Sequence, residues 1–259
     1  MDDAQLKEIG DRLGRAERER IAIDSLAANT KLSVADAYRI QMINVERRLA
    51  AGRRTVGRKV GLTSLAMQKM LGVDEPDFGH LFDDMILPSG GECNVSELLL
   101  PRVEPEIAFV LSRELRGPGI TRENVLDATQ YVTPALEIID TRIREWKITL
   151  ADTIADNASS ARVVLATGKT PARRYDLASI AMKLEENGNV VEEGMGAAVL
   201  GHPAEPIAWL ADKLAEFGQS LESGSIVIPG ALCGAVPVAV GDSILASFGP
   251  LGSVSVRFI

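Results

Sequence analysis

The spacing of apolar residues divides the chain into a helical beginning and a longer part in which strands predominate. Within residues 4–20, apolar side chains recur at intervals of three and four, which predicts an amphipathic helix. A second helical stripe follows Ser33, which we expect to cap a helix that ends near Gly52. The pattern therefore predicts a small helical region over residues 1–54.

From Thr55 onward, short apolar runs alternate with glycine, proline and aspartate, a pattern typical of strands. Strands are predicted over residues 56–62, 86–91, 107–111, 136–139, 163–166, 225–229, 243–248 and 254–259. Two helices interrupt them, one capped by Thr121 and one that opens at Pro206 and closes at Gly218. We therefore predict an α+β fold with a mixed-β body over residues 55–259, which forms either its own domain or one continuous domain with the N-terminal helices.

Charge and composition exclude several classes of function. The 28 basic and 36 acidic residues give a net charge of −8, which argues against nucleic acids and anionic membranes as partners. No apolar run approaches the roughly 20 residues of a membrane-spanning helix, and the N-terminus lacks the pattern of a signal peptide, so we expect a cytoplasmic protein. Two cysteines and two histidines are too few for a zinc site, so a bound metal should have carboxylate ligands and be Mg²⁺ or Mn²⁺.

Three glutamates are candidate ligands for such a metal. Glu104 and Glu106 stand two residues apart on a predicted strand, so their side chains should share one face. Glu137 lies inside another apolar run, where a lone charge would be costly. The alternatives are solvent-facing glutamates on an edge strand, which Pro105 favours, and a structural ion pair for Glu137. Asp140, just beyond, is expected to pair with Arg142 at the surface.

Further polar residues lie within or between the predicted strands. Lys59 has apolar neighbours on a predicted strand and is either drawn towards an anion or solvated at a strand edge. Asp77 is predicted at the centre of a turn, and His80 is more typical of a histidine that satisfies backbone groups than of a general base. Ser159 and Ser160 end a polar stretch that either lines a pocket and binds a substrate carboxylate or caps a helix.

Five stretches in order resemble a known family. They are G-R-K-V-G-L-T-S at 57–64, L-G-V-D-E-P-D-F-G at 71–79, P-R-V-E-P-E-I-A-F at 101–109, L-E-I-I-D-T-R-I at 136–143 and D-T-I-A-D-N-A-S-S at 152–160. Together they resemble the 2-keto-4-pentenoate hydratases of the fumarylacetoacetate hydrolase-like superfamily, close relatives of the 4-oxalocrotonate decarboxylases. One departure is Pro105, where relatives often carry a small or β-branched residue.

The resemblance implies a mixed β-roll body of the fumarylacetoacetate hydrolase C-terminal type. It implies a divalent metal, Mg²⁺ or Mn²⁺, held by three glutamates, and catalysis by a lysine and an aspartate. The matching positions are Glu104, Glu106 and Glu137 for the metal and Lys59 and Asp77 for catalysis. It also implies a homo-oligomer, in many members bound to another enzyme of the pathway.

The resemblance implies the metal-dependent hydration of a 2-hydroxy-2,4-dienoate to a 4-hydroxy-2-oxo acid in the meta-cleavage catabolism of aromatic or related ring compounds. The alternative is the decarboxylation of 2-oxo-3-hexenedioate, and the aspartate of E-P-D-F-G favours the hydratase. A non-catalytic scaffold would have no need of such clustered charges.

Substrate contacts are predicted at Leu62, Thr63, Ser159 and Ser160. Because no spare cation is evident near the site, we expect the far end of the pocket to be apolar. That end would be lined by residues such as Leu62, Phe78 and Leu81. Such a pocket would prefer monocarboxylic dienoates.

Overall fold

The computed structural model describes residues 1–28, 31–64, 68–69 and 72–259. Within these residues the α-helices are α1 (Asp3–Glu19), α2 (Val34–Ala50), α3 (Arg122–Ala128), α4 (Leu150–Ala155) and α5 (Glu205–Glu216). In this part of the chain, the structure has no helix that is both long enough and apolar enough to cross a membrane.

The described strands fall into two sheets. The strands are β1 (Thr55–Gly61), β2 (Asp77–Phe82), β3 (Ile86–Pro88), β4 (Gly91–Cys93), β5 (Arg102–Leu111), β6 (Thr129–Ile139), β7 (Ser160–Leu165), β8 (Ala181–Glu186), β9 (Asn189–Met195), β10 (Ile226–Ile228), β11 (Val236–Pro237), β12 (Ser243–Ser247) and β13 (Ser253–Phe258). The larger sheet has the order β2-β1-β10-β5-β6-β7-β3, with β11 paired to the start of β5. The smaller sheet has the order β4-β13-β12-β8-β9. Helices and mixed sheets of this kind confirm the predicted α+β class.

Both N-terminal helices begin at a capping residue, and the cap at Ser33 was predicted from the sequence. Asp2 accepts a hydrogen bond from the backbone of Gln5, and Ser33 accepts one from Asp36. Helix α2 is tied to the sheet by Gln41, whose amide nitrogen donates to the backbone oxygens of Phe78 (2.9 Å) and Ile154 (2.8 Å). The helices therefore support one end of β2, a strand that carries part of the site described below.

The core lies between the two sheets, where β12 and β13 pack against β6. Three fully buried aromatic side chains, Phe109, Phe248 and Phe258, fill much of it. Burial of apolar side chains stabilises the fold by roughly 25 cal/mol for each Å² of apolar surface removed from water. The strands that border this core hold the polar residues of the site in fixed positions.

Two predictions about the strands of the site differ from the structure. Asp77 is not at the centre of a turn, because residues 77–82 form the fully buried strand β2, which pairs antiparallel with β1. Pro105 does not mark an edge, because β5 is an interior strand. The Pro105 carbonyl accepts a hydrogen bond from Leu232 in the gap between β10 and β11. The N–H that proline lacks would point to this same side, so the pairing with β6 loses nothing.

Candidate active site

Three carboxylates converge where β5 pairs with β6. Glu104 stands directly opposite Glu137 in the strand register, and Glu106 lies two residues along the same face of β5. One oxygen from each carboxylate lies within 4.8 Å of the others. Glu106 and Glu137 are at most 1% exposed. The structure thus brings together the three glutamates that the sequence singled out.

Glu106 and Glu137 have fewer hydrogen bonds than buried carboxylates require. Glu106 accepts a hydrogen bond from the backbone N–H of Gly230 at 2.7 Å, but its other oxygen has no partner among the described residues, and neither oxygen of Glu137 accepts a hydrogen bond there. Burial and the charge of Glu137 raise the pKa of Glu104 to about 7 and that of Glu106 well above its ordinary value. Such a cluster is stabilised by a hard divalent cation, which prefers oxygen ligands, and the residues therefore fit Mg²⁺ or Mn²⁺.

Gly230 makes the contact to Glu106 possible. Its φ of +123° lies in a region that favours glycine, and a Cβ atom at this position would lie 1.7 Å from Oγ1 of Thr63. The close packing of Thr63 against this backbone also places Thr63 in the site, where the sequence predicted a substrate contact. A side chain at position 230 would force these elements apart.

Lys59 extends from β1 towards the glutamates. Its Nζ atom lies 3.3 Å from Oε2 of Glu137 and donates a hydrogen bond of 2.9 Å to the carbonyl of Ala158. Burial alone would lower the pKa of Lys59, but the Glu137 and Asp77 carboxylates outweigh it and raise that pKa above its ordinary value. Lys59 is therefore a buried, charged ammonium group, not a solvated lysine at a strand edge.

Asp77 reaches the same space from β2. It stands opposite Gly61 in the strand register. A Cβ atom built on Gly61 would lie 2.2 Å from Oδ1 of Asp77 and 3.4 Å from Nζ of Lys59, so the two charged groups flank one small volume. Asp77 is 1% exposed, and neither of its oxygens has a hydrogen-bond partner within the described residues. Burial raises the pKa of Asp77, although Lys59 opposes this rise.

The loop after α4 presents further polar groups. Asn157, Ala158 and Ser159 all adopt left-handed backbone conformations, with φ of 56°, 51° and 55°. The side chain of Asn157 anchors this run, because it accepts from the backbone N–H of His80 (2.8 Å) and donates to the backbone carbonyl of the same residue (3.0 Å). The loop thereby directs the carbonyl of Ala158 towards Lys59.

A buried ion pair supports the same loop. Arg142 pairs with Asp156 and also donates to the backbone carbonyl of Asp156 at 2.6 Å. Asp140 is buried as well and accepts from the backbone N–H groups of Leu99 (2.9 Å) and Leu100 (2.6 Å). The predicted surface pair between Asp140 and Arg142 is therefore wrong, because each residue has an interior partner of its own.

Several of the polar residues described above line one cavity of about 380 Å³. Its wall includes most of the residues predicted from sequence, namely Lys59, Leu62, Thr63, Asp77, Glu104 and Ser159. It also includes residues that the sequence did not suggest, namely Arg102, Ile139, Trp146, Ile148, Thr153 and Cys233. Ser160 lies outside this wall and borders a separate cavity of about 130 Å³. The cavity is thus partly apolar, with charged groups on the side of β1, β2 and β5.

The prediction of an apolar far end needs correction. Phe78 and Leu81 do not line the cavity, because Phe78 stacks on Tyr38 at a centroid distance of 4.6 Å and Leu81 is part of the core. Only Leu62 of the three predicted residues reaches the wall. Arg102, a cation that the sequence did not suggest, also lies in the wall. It stands two residues before Glu104 and so shares its face of β5.

His80 stabilises the fold and does not line the cavity. It follows Asp77 by three positions on β2 and so faces the opposite side of the strand, where its Nδ1 atom lies 3.0 Å from the side-chain oxygen of Gln41. Burial lowers the pKa of His80 well below its ordinary value of 6.5. A neutral, hydrogen-bonded histidine agrees with the sequence interpretation that His80 satisfies the local structure.

The buried neutral His80 predicts a pH dependence of stability. Below pH 6.5 the unfolded chain binds a proton at this residue that the folded chain does not, so the free energy of unfolding should fall as the pH decreases from 6.5 towards the lower folded pKa. In His80→Gln that slope should shrink by up to about 1.4 kcal/mol per pH unit. Urea denaturation between pH 5 and 8 would measure both slopes. Identical slopes in the two proteins would contradict the assignment.

Comparisons with known proteins identify the family of this chain. Residues 71–259 match the family described as fumarylacetoacetate (FAA) hydrolase C-terminal. The chain is 42% identical over its whole length to 2-hydroxyhexa-2,4-dienoate hydratase of Comamonas testosteroni, covering 99% of that protein. It is also 46% identical over 84% of its length to 2-hydroxypent-2,4-dienoate hydratase of Pseudomonas putida, again covering 99% of the relative.

A solved structure agrees with this assignment. The 4-oxalocrotonate decarboxylase of Pseudomonas putida G7, complexed with magnesium and adipate, superposes with a TM-score of 0.97 at 38% identity, covering all of this chain and 99% of the other. Its agreement extends over both sheets and the N-terminal helices. The chain therefore belongs to the fumarylacetoacetate hydrolase family, in the group that contains the 2-keto-4-pentenoate hydratases and 4-oxalocrotonate decarboxylase.

Proposed function

We propose that the protein is a lyase that hydrates 2-hydroxy-2,4-dienoates to 4-hydroxy-2-oxo acids in the meta-cleavage catabolism of aromatic compounds. The observation that carries the proposal is the cluster of three glutamates next to Lys59, beside a cavity that Lys59, Asp77 and Glu104 line. The hydratase names of the relatives at 42% and 46% identity support the same reaction.

Glu104, Glu106 and Glu137 are proposed to hold Mg²⁺ or Mn²⁺. When bound, this cation would act as a Lewis acid towards the carboxylate and the C2 oxygen of the substrate. Its charge also offsets the repulsion among the glutamates, which is the physical reason for expecting it here. Magnesium in the related decarboxylase structure supports the choice of a divalent ion.

Lys59 is proposed to stabilise negative charge on the C2 oxygen of the substrate. Its ammonium group is held in place by Glu137 and by the carbonyl of Ala158, so it needs no reorganisation when the C2 hydroxyl loses its proton. A fixed cation in a cavity shielded from water is worth more than one in solution. Lys59 therefore favours ketonisation, in which the C2 hydroxyl becomes a carbonyl and C5 gains a proton.

Asp77 is proposed to carry the protons. The ketonised substrate has a C3–C4 double bond conjugated to the carbonyl, and water adds its oxygen to C4 while C3 gains a proton. A buried carboxylate with a raised pKa is suited to this exchange, because it is a stronger base than an ordinary aspartate. Leu62, Thr63 and Ser159 are proposed to contact the substrate.

A second candidate reaction is the decarboxylation of 2-oxo-3-hexenedioate, in which the same residues would stabilise the enolate left by departing CO₂. The close superposition on 4-oxalocrotonate decarboxylase supports it. Parallel assays of one preparation on 2-hydroxypenta-2,4-dienoate and on 2-oxo-3-hexenedioate would decide between the two. We expect turnover of the first, and faster turnover of the second would reverse the order. Assembly into a homo-oligomer, alone or with another pathway enzyme, stays a prediction of the resemblance.

Removal of divalent cations is expected to abolish hydration. Dialysis against a chelator should eliminate turnover, and Mg²⁺ or Mn²⁺ should restore it, because the cluster holds three carboxylates with one nearby lysine. The loss of the dienoate's ultraviolet absorbance measures turnover. A thermal melt of the chelator-treated protein checks that it stays folded. Turnover that neither step alters would refute the metal role.

A further inference from the structure

Trp146 lines the cavity but has no part in the reaction described above. It lies in the connection between β6 and α4, and its partly exposed ring forms the wall together with apolar side chains such as Ile139 and Ile148. The indole N–H donates a 3.0 Å hydrogen bond to the carbonyl of Leu100. The guanidinium of Arg102 lies over the ring, 4.7 Å from its centroid. The ring is therefore held at its N–H edge and over one face.

The backbone that carries this ring is strained. Glu145 and Trp146 both adopt left-handed conformations, with φ of 58° and 55°. This conformation is unfavourable for residues that have a Cβ atom, and bulky side chains such as tryptophan rarely adopt it. Such strain persists only where the surrounding structure maintains it, and it clusters at ligand-binding sites. The strain at Trp146 thus points to a functional requirement for an indole at this place in the wall.

Asp140 fixes the carbonyl that receives the indole N–H. Its two carboxylate oxygens accept hydrogen bonds from the backbone N–H groups of Leu99 (2.9 Å) and Leu100 (2.6 Å). Asp140 is 2% exposed, so these hydrogen bonds are shielded from water and strengthened by the low local dielectric constant. The residues that lead into β5 are thereby held in place, and the Leu100 carbonyl with them. The ring of Trp146 consequently rests on a rigid support.

A flat, rigid aromatic surface suits a flat ligand. The carboxylate and the double bonds of a 2-hydroxy-2,4-dienoate are conjugated, so its chain is planar and makes simultaneous van der Waals contacts with an indole along its length. A saturated chain of the same length has staggered single bonds and contacts a flat ring at fewer points. The wall around Trp146 therefore distinguishes ligands by shape.

We propose that Trp146 is a substrate-binding residue that selects the planar, conjugated chain of the dienoate. This inference rests on the proposed function, because it takes a dienoate to be the molecule that occupies the cavity. It concerns the carbon chain and neither end of the substrate. Addition of water at C4 ends the conjugation, so the ring binds the product less tightly than the substrate and favours its release.

Binding of unreactive acids tests this inference without turnover. Calorimetry on the magnesium-loaded protein would compare sorbate, a planar hexa-2,4-dienoate that lacks the 2-hydroxyl group, with hexanoate, its saturated counterpart. The wild type should bind sorbate more tightly. In Trp146→Leu the affinity for sorbate should fall about two- to tenfold, as expected for a lost aromatic contact, while that for hexanoate stays unchanged because leucine offers a similar apolar contact. Trp146→Phe, which keeps an aromatic ring, should retain most of the affinity for sorbate.

Trp209→Leu is the matched control. Trp209 is the other tryptophan of the chain, lies on α5 and is not part of this cavity wall, so the same change there should alter neither affinity. This variant also leaves Trp146 as the only tryptophan. Its fluorescence should then change saturably as sorbate is added, with the Kd that calorimetry gives, and this measurement does not depend on the folding of any Trp146 variant.

Three results would overturn the inference. The first is a wild-type protein that binds sorbate no more tightly than hexanoate, or that binds neither acid. The second is a folded Trp146→Leu that loses no affinity for sorbate or loses the same affinity for both acids. The third is Trp146 fluorescence that sorbate does not change. Thermal melts of each variant would exclude unfolding as the cause of a loss.

Kinetics separate this inference from the proposed function. In Trp146→Leu, kcat/KM for 2-hydroxypenta-2,4-dienoate should fall about two- to tenfold, and Trp209→Leu should leave it unchanged. No hydration of this substrate by the wild type would contradict the proposed function. The comparison of sorbate with hexanoate would still decide the role of Trp146.

Discussion

Replacement of Glu137 by glutamine is expected to lower kcat on the order of 10³-fold and to weaken the binding of Mg²⁺ or Mn²⁺. Glu137 is fully buried and is also the ion-pair partner of Lys59. Its loss therefore removes a proposed metal ligand and the group that holds the ammonium in place. Steady-state kinetics at saturating metal, together with calorimetry of metal binding, would measure the two effects.

The control for this variant is Glu92→Gln. Glu92 is an exposed residue of β4 in the smaller sheet, so the same chemical change there should alter neither kcat nor metal affinity. Glu137→Gln removes one of three crowded negative charges but also the partner of the buried Lys59 ammonium, so thermal melts of the metal-free proteins would check that the variant stays folded. Full turnover with normal metal affinity in Glu137→Gln would show that the cluster is not the metal site.

Replacement of Asp77 by asparagine should lower kcat by about 10²–10⁴-fold, the usual contribution of a positioned general base. Metal affinity should stay close to the wild-type value, because Asp77 belongs to β2 and not to the three glutamates. Asparagine has nearly the same size, so the fold should be kept. The measurements are kcat with the pentadienoate substrate and metal binding by calorimetry.

Asp74→Asn is the matched control for this prediction. Asp74 is exposed, lies three residues before Asp77 and should tolerate the same change with unaltered kcat. A loss of activity in both variants would indicate that the segment, and not the Asp77 carboxylate, is responsible. Unchanged turnover in Asp77→Asn would remove Asp77 from the mechanism.

Local patterns predicted part of many strands and much of the cavity wall, but not the strands β2, β8, β9 and β11. The two-residue spacing of Glu104 and Glu106 predicts a shared face, and the same rule applied to Arg102 would have placed it on that face too. What sequence spacing does not show is that Glu137 stands opposite Glu104, because that register joins strands across a long connection. The apolar neighbours of Glu137 indicate only that its charge needs a cation as a partner.

The error at Asp77 has a specific cause. Pro76 and Gly79 are typical turn residues, yet here Gly79 lies within a strand, against the backbone carbonyl of Asn157, where a Cβ atom would lie 2.4 Å from that oxygen. The glycine is required by a tertiary contact and not by a turn. Tertiary packing of this kind overrides the preference of glycine for turns. The contact forms only when the loop after α4 packs against β2, so the local sequence does not predict it.

The left-handed backbone conformation of Asn157, Ala158 and Ser159 limits how far the stability of this protein can be raised without loss of activity. Three consecutive residues other than glycine in this conformation each cost about 1 kcal/mol or more, which the rest of the fold must offset. Substitutions that relax the run would add thermal stability, yet they would also release the carbonyl that orients Lys59. Selection for heat resistance alone would therefore tend to improve this loop at the expense of turnover, a conflict between stability and activity confined to three residues.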